Sequence, residues 1–326
     1  MLVLAGDVGG TKTALALVQG EAIVERRVYP SAAFPSLEAV VNEFLGKRSK
    51  EVSRACFGIA GPVIEDSCRA TNLRWVIEAR SLEHTLGLPR VTLVNDFHAM
   101  AIGVSILPAS DFAILNDAPS DPNGPWVLLG AGTGLGEAVV VRKGTGYDVI
   151  ASEGGHTDFA PRDELEIDLL RFLLKRHSRV SYERIICGRG LVTLYEFVRE
   201  RSPGAESPAV REELDSASGD LAPIISRHGL AGDDPLCTQA LSLFVSIYGA
   251  EAGNLALKVV ARGGVFVGGG IAPKILPKLL DGTFRASFVA KGRLSTLLEA
   301  TPVKVVLNSD AGLLGAASLA SRVALL

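Results

Sequence analysis

Residues 2–18 read LVLAGDVGGTKTALALV, and this stretch decides the fold. Two apolar runs flank a short segment that holds one carboxylate, Asp7, and two adjacent glycines. Apolar runs of this length on either side of a glycine-bearing turn are typical of β-strands in a hairpin. The stretch therefore predicts two strands joined by a tight turn, and not a strand that enters a helix.

The same pattern occurs a second time at residues 126–141, which read WVLLGAGTGLGEAVVV. A strand, glycine turn and strand that recur at such a distance indicate two related lobes, and not a short-period repeat protein. The expected fold class is α/β. Further strands are predicted at residues 26–29, 54–60, 91–94, 264–267 and 304–307, and helices at residues 37–45, 164–175, 191–199, 212–218, 235–261 and 311–323.

Length and charge limit the classes of function. At 326 residues the chain exceeds the size at which one hydrophobic core stops growing, which also favours two lobes. The formal net charge is only -3 and the basic residues are scattered, so nucleic acid and anionic membrane are poor partners. The amino-terminal residues lack the pattern of a signal peptide, and apolar stretches stay shorter than about 18 residues. We expect a cytoplasmic protein.

Three glycine clusters are candidate nucleotide contacts. Glycines let backbone N–H groups approach phosphate oxygens closely, and a carboxylate beside them can hold magnesium through water. The spacing in residues 6–13 differs from a Walker loop, and one such turn alone is equally compatible with a purely structural role. Residues 132–136 add a second turn with a hydroxyl donor, and residues 268–270 leave room for a flat ring such as adenine, although they also fit a plain strand-to-helix turn.

Polar side chains supply a second group of candidates. Asn95 and Asp96 follow the predicted strand 91–94, at the strand end where α/β sheets bind ligands, but they could equally cap the helix that begins there. Glu153, His156 and Glu183 can accept hydrogen bonds from hydroxyl groups. The plainer alternatives are a surface helix position for Glu183 and a hydrogen-bonded core position for His156.

Five motifs in order resemble those of the bacterial-type glucokinase family, and the resemblance runs from Asp7 to about Gly315. The motifs are DVGGTK at residues 7–12, LVNDF at 93–97, GAGTGLG at 130–136, SEGGH at 152–156 and VGGGI at 267–271. The resemblance implies the two-lobe ribonuclease-H-like fold of the actin-like ATPases, with an interlobe cleft. No cysteine follows His156 until Cys187, so the chain is similar to the zinc-free branch of these kinases.

The resemblance also implies roles for single residues. Asp96 would be the catalytic base, and Asn95, Glu153, His156 and Glu183 would bind glucose together with it. Asn95 would meet the 3- and 4-hydroxyls, Glu153 the 2- and 3-hydroxyls, and His156 with Glu183 the anomeric end. The residues implied for ATP and Mg²⁺ are Asp7, Gly9, Gly10, Thr11, Lys12, Gly132, Thr133, Gly268 and Gly269, with Asp7 holding the metal through water.

The expected activity is transfer of the γ-phosphoryl group of ATP to the 6-hydroxyl of glucose by a homodimer. The expected lobes are residues 1–106 with 298–326, and residues 107–297. Alternatives are a kinase for mannose, fructose or an N-acetylated hexosamine, a sugar-responsive repressor, and a filament-forming or chaperone-like ATPase. A repressor would need a DNA-binding segment ahead of Gly6, for which we expect no room. Glu137 and Arg189 receive no role; an outward position on the strand is one interpretation of Glu137.

Overall fold

The computed structural model describes residues 2–20, 22–70, 73–88 and 90–322, with only the backbone of residue 322. The chain forms two compact units. The first consists of Met1–Asp111, Gly144–Ala151 and Asn308–Leu326, and the second of Phe112–Lys143 and Ser152–Leu307.

The strands and helices alternate along much of the chain. The strands are β1 (Leu2–Val8), β2 (Lys12–Gln19), β3 (Ala22–Pro30), β4 (Val52–Ile59), β5 (Val63–Ile64), β6 (Ser67–Arg69), β7 (Val76–Glu78), β8 (Val91–Asn95), β9 (Phe112–Asn116), β10 (Trp126–Ala131), β11 (Leu135–Lys143), β12 (Gly146–Ser152), β13 (Gly264–Gly268) and β14 (Val303–Val306). The helices are α1 (Leu37–Leu45), α2 (Ala79–Leu86), α3 (Asp96–Val104), α4 (Glu164–Leu174), α5 (Gly188–Arg201), α6 (Pro208–Ser216), α7 (Ala222–Ala231), α8 (Pro235–Val259), α9 (Leu276–Leu280), α10 (Thr283–Val289), α11 (Ser295–Glu299) and α12 (Ala311–Arg322).

The main sheet of the first unit has the strand order β3-β2-β1-β4-β8. The predicted hairpin is confirmed, because β1 and β2 pair antiparallel. β4 pairs parallel with both β1 and β8, with Ile59 opposite Val8 on one side and opposite Asn95 on the other. Since parallel strands end at the same edge of a sheet, the turn after β1 and the start of α3 lie at one edge. A small antiparallel sheet, β5-β6-β7, completes the strands of this unit.

The sheet that contains the second predicted hairpin has the order β12-β11-β10-β13-β14-β9. β10 pairs antiparallel with β11 and parallel with β13, with Gly130 opposite Gly268. The hairpin beside a parallel strand therefore occurs in both sheets, as the repeated pattern predicted. The register brings the glycine clusters that follow β10 and β13 to the same sheet edge.

The core of the second unit is built around α8, which is 25 residues long. By length and apolarity alone α8 could cross a membrane, but 78% of its apolar window is buried inside the protein, as in a core helix. Tyr248 on α8 is fully buried, and its hydroxyl accepts a hydrogen bond from the backbone N–H of Ala131 at 3.1 Å. This contact ties the core helix to the end of β10.

In the first unit, α3 and α12 pack with their backbones close together on the main sheet. A Cβ atom on Gly103 would lie 1.8 Å from the carbonyl oxygen of Ala311, and one on Gly315 would lie 1.7 Å from that of Ala99. Only glycine permits these approaches. The predicted last helix belongs to the first unit, and residue 323, its predicted end, lies outside the described residues.

Several elements differ from the predictions. α7 was not predicted; Pro223 stands in its first turn, where proline is tolerated. α5 begins at Gly188, three residues before the predicted start, because the Cys187 sulfur accepts a hydrogen bond from the N–H of Gly190. β14 pairs with β13 and β9, so the chain joins the first unit again at Asn308, whereas the sequence placed that crossing at 298.

We predict that Gly315→Ala destabilises the protein by about 1–3 kcal/mol or more, because the added methyl group meets a backbone carbonyl that cannot move aside. Ser318→Ala on the same helix is the control. Alanine has the higher helix propensity at both positions, so without the clash both variants would gain stability. Urea unfolding measures the difference, and an unchanged or raised stability of Gly315→Ala would contradict the packing described.

Candidate active site

The turn between β1 and β2 is held by its own backbone and by Ser31. The N–H of Gly9 donates to the carbonyl oxygen of Lys12 at 3.0 Å, and the Ser31 hydroxyl donates to the carbonyl oxygen of Gly9 at 2.8 Å. Ser31 also shares a buried hydrogen bond of 2.9 Å with the hydroxyl of Thr13. Thr11 and Lys12 are exposed at the tip. Gly9 therefore shapes the turn, while Thr11 and Lys12 face solvent.

Asp7 lies at the end of β1 beside a second carboxylate that the sequence analysis missed. Burial, and then the negative charge of Asp310, raise the pKa of Asp7 to about 6, while Arg26 acts in the opposite direction. Arg26 donates from Nε to Oδ1 of Asp310 at 2.7 Å. A Cβ atom on Gly312 would lie 3.4 Å from Oδ2 of Asp7, so this carboxylate sits against the first turn of α12.

Two carboxylates in this setting favour a nearby cation, since its charge would offset their repulsion. In the part of the chain that the structure describes, no three His, Cys, Asp or Glu side chains are grouped so as to hold a metal ion. Magnesium is commonly bound by one or two carboxylates together with water and substrate phosphates. The position of Asp7 and Asp310 fits that kind of site.

Asn95 and Asp96 form the start of α3 at the same sheet edge. The Asn95 side-chain oxygen accepts hydrogen bonds from the N–H groups of Phe97 at 2.9 Å and His98 at 3.3 Å, so the capping interpretation is confirmed for Asn95. Its amide nitrogen donates to the carbonyl oxygen of Gly61 at 3.2 Å. Asp96 is the first helical residue, so it lies at the positive end of the helix dipole.

The turn between β10 and β11 lies at the edge of the second sheet. The N–H of Gly132 donates to the carbonyl oxygen of Gly134 at 2.8 Å, and the Gly132 carbonyl oxygen accepts from the N–H of Gly188 at 3.0 Å. Thr133 is exposed. A Cβ atom on Gly132 would meet nothing within 4 Å, which leaves this turn open on its outer face.

The cluster at the end of β13 needs glycine for its backbone conformation. Gly269 has a φ angle of +81°, and a Cβ atom there would lie 2.5 Å from the carbonyl oxygen of Ala131. Gly268 is buried in the strand and Gly270 is exposed. The structural reason for glycine at 269 is thus established, and Gly268 lies beside it at the open sheet edge.

Glu153, His156 and Glu183 are brought together in the second unit. His156 Nδ1 lies 3.7 Å from Oε1 of Glu183, and His156 Nε2 lies 4.0 Å from Oε2 of Glu153. The exposed side-chain fractions are 66% for Glu153, 47% for His156 and 31% for Glu183. The core interpretation of His156 is therefore wrong, and the three side chains form an exposed acceptor cluster.

Glu183 also has a structural bond. Its Oε2 accepts from the N–H of Leu135 at 3.0 Å, and a Cβ atom on Gly134 would lie 2.4 Å from that oxygen. Glu183 belongs to a short 3₁₀ turn, Tyr182–Arg184, so the surface-helix alternative is also wrong. The glycine motif at 130–136 thus makes room for Glu183 as well as shaping its own turn.

The structure gives the positions of Glu137 and Arg189, to which the sequence analysis assigned no role. Glu137 points inward and is only 1% exposed, so an outward position on β11 is ruled out. Arg189 is exposed in the first turn of α5.

Comparison with known proteins identifies the family of this chain. The profile described as Glucokinase matches residues 4–323. The glucokinase of Nostoc punctiforme is 43% identical over 338 residues, covering 98% of this chain and 99% of that protein. This chain belongs to the glucokinase family.

Two solved structures of the glucokinase family resemble the fold closely. A glucokinase from an Antarctic psychrotroph superposes with a TM-score of 0.80 at 30% identity, covering 98% of each chain. A ROK family glucokinase from Streptomyces griseus, solved in complex with glucose and AMPPNP, has a TM-score of 0.69 at 25% identity and covers 99% of this chain and 100% of its own. The fold is therefore the two-lobe ribonuclease-H-like architecture of the actin-like ATPases.

We predict that Glu183→Ala lowers the free energy of unfolding by about 1–3 kcal/mol, because the nearly buried N–H of Leu135 loses its acceptor. Glu153→Ala, which removes an exposed carboxylate from the same cluster, should stay within about 0.5 kcal/mol of the parent protein. Urea unfolding without ligand measures both. Equal stabilities of the two variants would show that the Glu183–Leu135 bond contributes nothing.

Proposed function

We propose that this protein is a glucokinase that transfers the γ-phosphoryl group of ATP to the 6-hydroxyl of D-glucose. The observation that carries the proposal is the exposed cluster of Glu153, His156 and Glu183 on a chain of the glucokinase family. A sugar presents several hydroxyl groups, and a set of carboxylates with one imidazole can accept from and donate to them in a fixed pattern.

ATP would be held by the glycine turns at the two sheet edges. Thr11, Lys12 and Thr133 stand exposed at turn tips, and Gly9, Gly10 and Gly132 belong to the same turns. Gly268 and Gly269 would adjoin the adenosine. The AMPPNP complex of the Streptomyces griseus relative supports ATP as the donor.

Magnesium would accompany ATP as its counterion. Asp7 would hold it through water, with Asp310 close by, and the metal would neutralise charge on the phosphate oxygens. The carboxylate of Asp7 is costly to ionise where it lies, so a cation beside it would favour the ionised form.

Asp96 would act as the catalytic base. Phosphoryl transfer has a loose transition state, so the protein contributes mainly position, electrostatic stabilisation and a proton acceptor. The 6-oxygen of glucose forms a bond to the γ-phosphorus, its proton passes to the Asp96 carboxylate, and the bond from phosphorus to the bridging oxygen of ADP breaks. Asp96 lies at the start of α3, where the positive end of the helix dipole lies close to its carboxylate.

The remaining sugar contacts follow the family motif. We propose that Asn95 meets the 3- and 4-hydroxyls, Glu153 the 2- and 3-hydroxyls, and His156 with Glu183 the anomeric end. The oxygen of Asn95 already caps α3 and one of its N–H groups serves Gly61, so its second N–H is the group to expect on the sugar. Capping fixes the orientation of this amide before the sugar arrives.

We further propose a cytoplasmic homodimer that binds neither nucleic acid nor membrane. Light scattering coupled to size-exclusion chromatography tests the dimer.

We predict that Asp96→Asn lowers kcat by roughly 10²- to 10⁴-fold while the protein remains folded and binds ATP, since the amide cannot accept the proton. The matched control is Asp66→Asn, at an exposed turn position with a φ angle of 59° that asparagine tolerates. A coupled assay for ADP release measures both. Near-parental turnover of Asp96→Asn would remove Asp96 from the role of base.

We predict that glucose gives the highest kcat/KM among glucose, mannose, fructose and N-acetylglucosamine. Without any sugar, ADP release should be slow, because Asp96 then has no positioned hydroxyl to deprotonate. Comparison of the four sugars and a sugar-free sample in the same assay tests this. A better rate with another sugar would assign the enzyme to that sugar, and equal rates with and without sugar would contradict a sugar kinase.

A further inference from the structure

Two buried carboxyl groups, from Glu137 on β11 and Glu251 on α8, lie next to each other in the second unit. Glu137 is 1% exposed and Glu251 is 0% exposed. Among the described residues, no N–H or O–H donates to either oxygen of Glu137 or to Oε1 of Glu251. Buried polar atoms almost always have a hydrogen-bond partner, so these three oxygens call for an explanation.

A shared proton accounts for two of these oxygens, one on each carboxyl group. Ionised carboxylates only accept hydrogen bonds, so Glu137 and Glu251 can bond to each other only if one of them is protonated. Burial, followed by the charge of Glu251 and a hydrogen bond with it, raises the pKa of Glu137 to about 7, with Lys258 opposing. Like charges that share a buried site cannot both ionise easily.

The surroundings assign the proton to Glu137. Oε2 of Glu251 accepts from the Asn254 amide at 2.9 Å, and its Oε1 lies 3.8 Å from the Lys258 ammonium group. Tyr182 and Lys291 also favour the ionised form of Glu251, although burial still raises the pKa of this group. Glu251 is therefore the carboxylate of the pair, and Glu137 is the acid that donates to it.

The other charged and titratable groups around the pair act mainly on Glu251 or on each other. Lys291 follows α10 and bonds to the carbonyl oxygen of Ala250 and the side-chain oxygen of Asn254. Arg162, which precedes α4, and Glu166 on α4 pair with each other and act on Lys291. Tyr248 is the remaining titratable side chain near Glu137, and burial holds it neutral by raising its pKa far above neutrality.

Glu137 also touches the segment that presents the acceptor cluster. A Cβ atom on Gly154 would lie 1.9 Å from Oε2 of Glu137, so this carboxyl group rests directly against the Gly154 backbone. The N–H of Gly154 donates to the Ser152 hydroxyl at 3.0 Å, and Gly154 begins the 3₁₀ turn that ends at His156. A movement of the Glu137 carboxyl group would therefore displace the backbone between Glu153 and His156.

We propose that Glu137, by sharing a proton with Glu251, is a positioning residue for the sugar-binding segment Glu153–His156. When the proton is lost, two adjacent negative charges repel each other in a buried site, and the Glu137 carboxylate moves against Gly154. Glucose affinity then falls because Glu153 and His156 leave their places. The proposal rests on the proposed function, since it takes this segment to bind glucose.

The test uses Glu137→Gln, whose amide donates to Glu251 at every pH and carries no charge. The matched control is Glu299→Gln, which removes an exposed carboxylate from the same unit. Calorimetric titration with glucose alone, from about pH 6 to about pH 9, should show a weakening of roughly fivefold or more in the parent protein and in the control. Glu137→Gln should show a nearly constant affinity. An identical pH profile in the parent and Glu137→Gln would overturn the proposal.

A spectroscopic readout separates this proposal from the proposed function. Infrared difference spectra of protein carrying carbon-13-labelled glutamate should show a protonated glutamic acid that titrates near pH 7 and is absent in Glu137→Gln. Should that variant fail to fold, Glu251→Gln is expected to shift the titration to lower pH by removing the repelling charge. Absence of the acid band in the parent protein refutes the shared proton, whereas the band without any glucose binding refutes only the proposed function.

Discussion

Parallel pairing of β4 with β1 and β8 is the constraint on which the first half of the site depends. Because Ile59 lies opposite both Val8 and Asn95, the three strands end at one level. The turn that carries Thr11 and Lys12 and the helix that begins with Asp96 then share a sheet edge, although more than 80 residues separate them in the chain. A one-residue slip in either pairing would turn the side chains of that strand to the opposite face.

Several glycines of the site motifs allow other groups to pack directly against the backbone. Gly134 leaves room for the Glu183 carboxylate, Gly154 for that of Glu137, and Gly155 would bring a Cβ atom within 2.1 Å of the Leu135 carbonyl oxygen. The glycines of these motifs therefore do more than shape turns for a ligand. Gly134 and Gly154 let a carboxyl group pack against the backbone, and Gly155 does the same for a carbonyl oxygen.

Much of the fold could be predicted from the sequence because its signals are local. The hairpins at 2–18 and 126–141 and helices such as α1 need only periodicity and turn residues to be recognised. The inward position of Glu137 could not be predicted, since it depends on Glu251, which lies on another element and far along the chain. Asp310 was missed for the same reason, because its role depends on its interactions with Asp7 and Arg26, which are distant in the sequence. At the candidate site, the packing beneath the proposed residues could not be predicted from the sequence.

The glycine contacts have a consequence for how substrate preference can change. A side chain at position 134, 154 or 155 would displace a carboxyl group or a carbonyl oxygen. Substitution of these glycines is therefore strongly disfavoured. Glu153, whose side chain is 66% exposed, carries no such restriction. New sugar preferences, whether selected in the laboratory or by natural divergence, would arise by substitution of exposed residues such as Glu153. The glycines that pack beneath the cluster would stay unchanged.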